Sequence, residues 1–218
     1  MSVNVVEVNN VTKSFGIQMV LNNINITCSA GLIYGLIGRN GSGKTVLLKC
    51  ILGLLTPDKG EVKVNGRRVG KDIDFAESTG FIIERPGFLA QETALTNLKY
   101  IASIRRQICK ADIIKAISSV GLDPKSKKKV GKYSLGMVQR LGIAQAIMEN
   151  PDILLLDEPM NGLDNRGVSD IRSIILNLKK EGKTIMLASH NREDIEILCD
   201  EVFEVDNGIM KHSITKRK

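Results

Sequence analysis

The chain has 218 residues, of which 43% are hydrophobic and 25% charged, so it is long enough for one α/β domain with an additional subdomain. No apolar run reaches the ~18 residues of a membrane span, and residues 1–6 lack the basic head and apolar core of a secretory signal. The formal net charge of +7 admits a nucleic-acid or anionic-lipid partner. However, only residues 125–132 are locally dense in charge and aromatic residues make up 4%, so dispersed surface lysines are the favoured interpretation.

The spacing of the cysteines bears on the redox compartment. The four cysteines are far apart in the sequence, and none forms a C-x-x-C pair. This spacing indicates buried thiols in a reducing cytosol and argues against a disulfide framework or a zinc site. The four residues are Cys28, Cys50, Cys109 and Cys199.

Short strand patterns dominate the N-terminal part of the chain. Residues 3–8 and 20–28 have the composition and alternation of strands, and residues 12–16 between them are predicted as a turn that presents the exposed aromatic Phe15. Alternating valines at 62 and 64 precede Asn65-Gly66, which is a strong hairpin signal. We therefore expect partly antiparallel strands in this region.

A glycine-rich segment at residues 38–45 fits the phosphate-binding pattern G-x-x-x-x-G-K-[ST] at every fixed position. Residues 32–37 before it are predicted as a short buried strand, and residues 45–55 after it as a helix with apolar residues at helical spacing. The alternative is a glycine-rich turn that happens to precede a helix, but strand, loop and helix in this order favour a nucleoside triphosphate site. The residues concerned are Gly38, Arg39, Asn40, Gly41, Ser42, Gly43, Lys44 and Thr45.

The residue types of this loop predict its chemistry. Glycines let backbone N–H groups turn inward around phosphate oxygens, and the N-terminus of the following helix adds partial positive charge at the same place. We expect Lys44 to reach the β- and γ-phosphates and the Thr45 hydroxyl to ligate Mg²⁺.

Helical patterns occupy the middle of the chain. Amphipathic patterns predict helices over 93–104 and 111–120, and a third helix that begins near Ser134, a good N-cap, and stops ahead of Pro151. This block interrupts the sheet, so we predict an inserted α-helical subdomain over residues 85–149.

The sheet resumes after the helical block. Residues 153–156 and 184–189 are short apolar runs typical of strands buried on both faces of a parallel sheet, with a helix predicted over 167–180. The predicted fold is therefore α/β, a P-loop nucleoside triphosphatase with a mixed core sheet, N-terminal antiparallel strands and the inserted helical subdomain. One domain spans the whole chain, and its core comprises residues 1–84 and 150–218.

Two carboxylates and a histidine are the candidate reactive groups. Asp157 and Glu158 follow an apolar strand, where Asp157 is placed to hold Mg²⁺ and Glu158 to orient or deprotonate an attacking water. The alternative is an acidic turn after a core strand. His190 follows the strand 184–189, so in a parallel sheet it lies at the same edge as Gly38 and Asp157 and could touch the γ-phosphate, although a surface histidine is the alternative.

These motifs together resemble the nucleotide-binding subunit of an ATP-binding cassette (ABC) transporter over essentially the whole chain. They follow the order of that family: an aromatic loop, a phosphate loop, a signature, two carboxylates, a dimer-crossing loop and a switch histidine. In this sequence they are Phe15, residues 38–45, Tyr133-Ser134-Leu135-Gly136-Met137, Asp157-Glu158, Asn161-Gly162-Leu163-Asp164 and His190.

The resemblance implies a role for each motif. Phe15 is expected to stack on the adenine of ATP, and Ser134 and Gly136 to meet the γ-phosphate bound by the opposite subunit. The loop ending in Asp164 is expected to cross the dimer, and His190 to act with Glu158 and Lys44 in catalysis.

Two positions depart from the family pattern. The signature is usually L-S-G-G-Q, whereas residues 133–137 read Y-S-L-G-M, which puts in doubt the packing around the contact but not the contact itself. The family usually has a glutamine that touches Mg²⁺ where this chain has Glu84. This carboxylate could bind Mg²⁺ more strongly than an amide, could have a raised pKa in the empty site, or could pair with Arg85. Together, the departures leave open a binding switch that barely hydrolyses ATP.

Glu84 and the Y-S-L-G-M signature are similar to a narrower branch, the ATPases of bacterial exporters that protect cells from lantibiotics and bacitracin-like peptides. This resemblance implies a cytoplasmic homodimer docked on separate permease subunits at the inner face of the membrane, with ATP between the two copies and no nucleic-acid partner. The alternative function is a soluble ABC-type ATPase that acts on nucleic acid, the ribosome or cofactor assembly.

Overall fold

The computed structural model describes residues 3–84 and 86–215, and the side chains of this part of the chain through Lys211. Its strands are β1 (Asn4–Phe15), β2 (Gln18–Ser29), β3 (Ile33–Ile37), β4 (Lys59–Val64), β5 (Arg67–Arg68), β6 (Thr79–Ile82), β7 (Ile153–Asp157), β8 (Thr184–Ser189), β9 (Glu201–Asp206) and β10 (Ile209–Thr215). Its α-helices are α1 (Lys44–Leu52), α2 (Ala94–Arg105), α3 (Lys110–Ser119), α4 (Leu135–Ile147), α5 (Asn165–Lys180) and α6 (Arg192–Leu198), with a 3₁₀ turn at Val130–Lys132.

These strands form two sheets. The first is antiparallel with the order β2-β1-β4-β5, and the second has the order β10-β9-β3-β8-β7-β6. In the second sheet β9, β3, β8, β7 and β6 run parallel, whereas β10 is antiparallel to β9. Helices α2, α3 and α4 lie between β6 and β7 in the chain. The predicted α/β fold with a mixed sheet, antiparallel N-terminal strands and an inserted helical segment is confirmed, whereas the domain boundaries stay a prediction.

The central strands were predicted because they are apolar along their whole length. Every residue of β7 and β8 is buried, so neither strand has a solvent face, as expected for strands covered on both sides. Alternate β7 residues belong to two different cores: Ile153 and Leu155 face α1 and the antiparallel sheet, whereas Leu154 and Leu156 face helices α2 to α6. This packing holds the carboxyl ends of the parallel strands at one edge.

The first hairpin is longer than the sequence indicated. The predicted turn at 12–16 is wrong, because β1 continues to Phe15, which pairs with Gln18 of β2. A two-residue loop closes the hairpin, and its first residue, Gly16, has a φ of 60°. A left-handed backbone is easily adopted by glycine, so the chain can reverse within two residues. The predicted hairpin at Asn65-Gly66 is confirmed by the pairing of β4 with β5.

The five predicted helices are present as α1 to α5, whereas α6 was not predicted, and one predicted helix is too long at its C-terminus. The helix predicted over 45–55 ends at Leu52, because Gly53 adopts a φ of 88° and its N–H binds the carbonyls of the last turn. At the N-termini of α2 and α4, the hydroxyls of Thr93 and Ser134 accept hydrogen bonds from Thr96 N–H and Met137 N–H. The predicted N-cap at Ser134 is therefore confirmed.

Three of the four cysteines are buried, and the fourth lies at the surface. Within the described residues none of the four cysteines forms a disulfide, and Cys28, Cys50 and Cys199 are buried as predicted. Cys109 is exposed, because it precedes α3 at the surface, so the prediction of a buried thiol is wrong there. In the part of the chain that the structure describes, no helix is both long enough and apolar enough to cross a membrane.

Candidate functional site

The glycine-rich loop connects the end of β3 to the start of α1, and close packing explains two of its glycines. A Cβ on Gly38 would lie 2.3 Å from the Val205 carbonyl oxygen, which no side chain tolerates. Gly43 has a φ of 107°, and a Cβ there would lie 2.8 Å from the Val20 carbonyl oxygen. These contacts hold the loop at the N-terminus of α1, a position where anions bind favourably.

Lys44 is the buried cation of this loop. Its ammonium Nζ donates hydrogen bonds to the carbonyl oxygens of Gly38 at 2.7 Å and Arg39 at 3.1 Å. The Glu158 Oε1 atom lies 3.9 Å from the same nitrogen. Burial lowers the pKa of Lys44, and the nearby carboxylates Glu158 and Asp157 act in the opposite direction.

Thr45 and Asp157 join the loop to the tip of β7. The Thr45 hydroxyl donates a 2.7 Å hydrogen bond to Asp157 Oδ2. Among the described residues, the buried atoms Asp157 Oδ1 and Ser42 Oγ have no hydrogen-bond partner, and neither does Glu158 Oε1. Because buried polar atoms are normally paired, three such atoms around one loop indicate a site built for a polar ligand. A carboxylate oxygen beside a hydroxyl fits a hard cation such as Mg²⁺, which prefers oxygen ligands.

Glu158 and His190 face each other across neighbouring strands. The His190 Nδ1 atom lies 2.9 Å from Glu158 Oε2. Glu158 has a φ of 47°, an uncommon conformation for a residue with a side chain, and its N–H donates to the Ala188 carbonyl oxygen at 2.9 Å. Strained backbones of this kind are concentrated at functional sites. The parallel strands β7 and β8 thus bring Asp157, Glu158 and His190 to one edge, as the sequence predicted.

The contact and the pKa of Glu84 differ from what the sequence predicted. Its carboxylate Oε1 lies 2.6 Å from Lys49 Nζ on α1, and among the described residues no hydrogen bond or ion pair joins it to Thr45 or Asp157. The hydrogen bond from Lys49 lowers the pKa of Glu84, so the expectation of a raised pKa is wrong. The suggested partner Arg85 lies outside the described residues. A contact between Glu84 and Mg²⁺ stays a prediction.

Phe15 lies at the tip of the β1–β2 hairpin, and 48% of it is exposed. Lys13 Nζ is 5.7 Å from the centre of its ring. The same hairpin reaches the phosphate loop close to its tip, since the carbonyl of Val20, two residues after Gln18, packs against Gly43. An exposed aromatic beside the loop is available for stacking on a planar base.

The signature residues form a separate surface. Ser134, Gly136 and Asp164 line a cavity of about 570 Å³, and within the described ranges no hydrogen bond connects them to the phosphate loop. Asp164 caps α5, where its Oδ1 accepts a 2.8 Å hydrogen bond from Gly167 N–H. The structure therefore does not bring these three predicted residues to the phosphate loop of their own chain.

Two features of the site were missed by the sequence analysis. The buried Gln139 on α4 donates from Nε2 to the Pro159 carbonyl oxygen at 3.0 Å, which ties the signature helix to the residue after Glu158. The sequence signal that could have indicated this contact is the polar Gln139 among the apolar positions of that helix. In addition, residues 204–207 line a cavity of about 610 Å³ with Gly38, Arg39, Asn40 and His190.

A phosphate loop between a buried parallel strand and a helix, beside a strand that ends in two carboxylates, defines a P-loop nucleotide-binding protein. The ABC transporter family model matches residues 21–161. The chain belongs to the ABC transporter family and is one of its ATP-binding, ATP-hydrolysing subunits.

The relatives are similar over most of their length. The chain is 48% identical to the ABC transporter ATP-binding protein YybJ of Bacillus subtilis, covering 95% of each chain. It is 44% identical to the bacitracin transport ATP-binding protein BcrA of Enterococcus faecalis, covering 94% of this chain and 67% of the relative. It is 37% identical to the lantibiotic transport ATP-binding protein SrtF of Streptococcus pyogenes, covering 93% and 87%.

Solved structures agree on the fold. The dimeric post-hydrolysis structure of an ATP-binding cassette with bound ADP and phosphate has a TM-score of 0.86 over 98% of this chain and 99% of that chain, at 23% identity. None of these relatives supports the alternative of a cassette that acts on nucleic acid, the ribosome or cofactor assembly.

Proposed function

We propose that this chain is the ATP-hydrolysing subunit of an exporter for an antimicrobial peptide or drug of the bacitracin or lantibiotic type. The names of the relatives BcrA and SrtF support the class of substrate. The observation that carries the hydrolytic function is the arrangement at one sheet edge: Thr45 bonded to Asp157, with Glu158 beside Lys44 and His190.

Residues of the phosphate loop and of β7 bind different parts of Mg·ATP. The backbone N–H groups of residues 38–45 and the Lys44 ammonium hold the β- and γ-phosphates. Thr45 and Asp157, with the unpaired Asp157 Oδ1 atom, would hold Mg²⁺, which would supply positive charge against the phosphates. Phe15 packs on the adenine ring.

Glu158 is the general base for the attacking water. Its carboxylate sits at the end of β7, where Oε1 lies 3.9 Å from Lys44 Nζ and Oε2 lies 2.9 Å from His190 Nδ1. The imidazole orients this carboxylate, so the oxygen that accepts the proton of the water has a fixed direction. His190 presents its other ring nitrogen toward the γ-phosphate.

The site is completed by a second copy of the chain. Ser134 and Gly136 lie at the N-terminus of α4, apart from the phosphate loop of their own chain. In a head-to-tail homodimer they meet the γ-phosphate held by the other copy, and the loop ending in Asp164 crosses the interface. Permease subunits hold this dimer at the inner face of the membrane, and the helical subdomain at 85–149 moves against the core.

The experiment compares ATP hydrolysis by the wild type and by Glu158→Gln. The amide keeps the shape of the side chain but cannot accept a proton, so kcat should fall about 10²- to 10⁴-fold, and an ATP-bound dimer should accumulate on gel filtration. Glu77→Gln is the matched control, because that carboxylate pairs with Arg67 at the surface. Equal hydrolysis by Glu158→Gln and the wild type would refute the proposed base.

A further inference from the structure

The sheet fixes the chain before His190 but not the chain after it. The last paired residue of β8 is Ser189, which lies opposite Ile37 of β3. His190 lies beyond this pair, and α6 starts two residues later at Arg192. The direction of the imidazole therefore depends on how the first turn of α6 is fixed.

That first turn is anchored by one arginine of α5. Arg172 donates from Nε at 2.8 Å and from Nη2 at 2.5 Å to Asp194 Oδ1, and from Nη1 at 3.2 Å to Glu193 Oε1. Asp194 is only 3% exposed, so its charge is compensated inside the protein. One side chain thus binds two consecutive residues of the turn that follows His190.

Short-range contacts connect this turn to His190 itself. The Asn191 N–H donates to Ser189 Oγ at 3.0 Å, and Asn191 Oδ1 accepts from Glu193 N–H at 2.9 Å. Glu193 is therefore bonded both to Asn191, the neighbour of His190, and to Arg172. A movement of this turn would be transmitted to the 2.9 Å contact between His190 and Glu158.

We propose that Arg172 is a positioning residue for the reaction: by binding Asp194 and Glu193 it fixes the first turn of α6 and so holds the His190 imidazole against the Glu158 carboxylate. This inference rests on the proposed function of Glu158 and adds a residue that touches neither nucleotide nor water. It concerns geometry, so its loss should change kcat and leave the KM for ATP nearly unchanged.

The test uses the fact that the chain contains only two histidines. In an NMR spectrum of the imidazole C–H groups, His190→Ala assigns the resonance of His190, and Glu158→Gln gives its shift when the carboxylate partner is lost. Arg172→Gln leaves a buried carboxylate unpaired and could unfold the chain, so the double variant Arg172→Gln with Asp194→Asn is the main probe. Its two amides have no charge to compensate.

We expect the double variant to move the His190 resonance toward its position in Glu158→Gln, and to lower kcat at least about tenfold with KM changed less than about twofold. The single variant Arg172→Lys should lie between the double variant and the wild type in the His190 resonance and in kcat, because one ammonium can still bind Asp194. The matched control is Lys179→Gln, which removes another ion pair of α5, the 2.6 Å contact with Asp200, two turns further along the helix. It should leave the His190 resonance and kcat unchanged.

The outcomes separate this inference from the function on which it rests. An unmoved His190 resonance in the folded double variant refutes the positioning role of Arg172, even if kcat falls, because Arg172 then acts in another way. An equal shift in Lys179→Gln refutes it also, since any weakening of α5 would suffice. If Glu158→Gln itself hydrolyses ATP normally, the proposed function of Glu158 is wrong.

Discussion

Gly80 lies in β6, directly against the backbone of α4 at Ala146. A Cβ at this position would lie 1.9 Å from the Ala146 carbonyl oxygen and 2.8 Å from its carbonyl carbon. Both atoms belong to the helix backbone, so no side-chain rotation can relieve the contact. Replacing Gly80 by Ala must therefore displace α4, which carries Ser134 at its N-terminus, from the sheet.

The cost follows from this geometry. Overpacking of a well-packed core costs about 1–3 kcal/mol, and a contact with rigid backbone belongs at the upper end. Alanine reduces the entropy of the unfolded chain and returns about 0.4–1 kcal/mol. The net loss of about 2 kcal/mol corresponds to a Tm lowered by roughly 4–8 °C, since a chain of this size changes by about 2–4 °C per kcal/mol.

Thermal unfolding followed by circular dichroism measures this difference. The matched control is Gly87→Ala, because no described residue lies within 4 Å of a Cβ built there and its backbone does not have a positive φ. It should be neutral or slightly stabilising. A Tm for Gly80→Ala within about 1 °C of the Gly87→Ala value would contradict the expected clash of sheet and helix.

Three further predictions concern single side chains. Lys49→Gln removes the hydrogen bond that lowers the pKa of Glu84, so a ¹³C NMR titration should give a higher pKa for that carboxyl. The folded-state pKa of Glu84 lies below its unfolded value, so the stability contributed by this pair is present above the unfolded pKa and is lost as pH falls through the folded pKa. The Tm difference between Lys49→Gln and the wild type should therefore shrink in acid. One thiol of the native chain, Cys109, should react rapidly with a disulfide reagent, and three more only on unfolding; four fast thiols would contradict the burial. Asp157→Asn removes the charge beside the Thr45 hydroxyl, so Mg²⁺ should enhance the binding of a fluorescent ATP analogue less than in the wild type, and an unchanged Mg²⁺ titration would exclude Asp157 as a ligand.

The sequence predicted the central parallel strands β3, β7 and β8 and the reactive edge at their carboxyl ends, because local pattern and global environment agree there. β7 and β8 are apolar throughout, and the polar residues Asp157, Glu158 and His190 begin where the strands end. The predicted proximity of the phosphate loop and Asp157 needs only the rule that parallel strands share their carboxyl edge. The Thr45–Asp157 hydrogen bond agrees with this proximity.

The remainder depends on contacts between residues that are distant in the chain. β6 was missed because its four residues include Gly80 and the exposed Phe81, which give no clear alternation. β9, β10 and α6 were missed because charged residues interrupt their apolar pattern. The Glu84 partner was missed as well, since Lys49 is 35 residues away and on another element. Such pairs form only when the fold has brought the segment after β6 to α1.

The site edge is held in a conformation that the folded chain alone does not favour. Ser42, Asp157 and Glu158 each have a buried polar atom without a hydrogen-bond partner in the described part of the chain, and Glu158 also has a positive φ. Each unpaired atom costs about 1–3 kcal/mol, and the backbone of Glu158 a similar amount. A chain selected only for stability would lose these features, so their concentration around one loop implies that a ligand, and not the fold, satisfies them. The half-buried Arg172, paired with the buried Asp194, is placed to keep His190 beside Glu158.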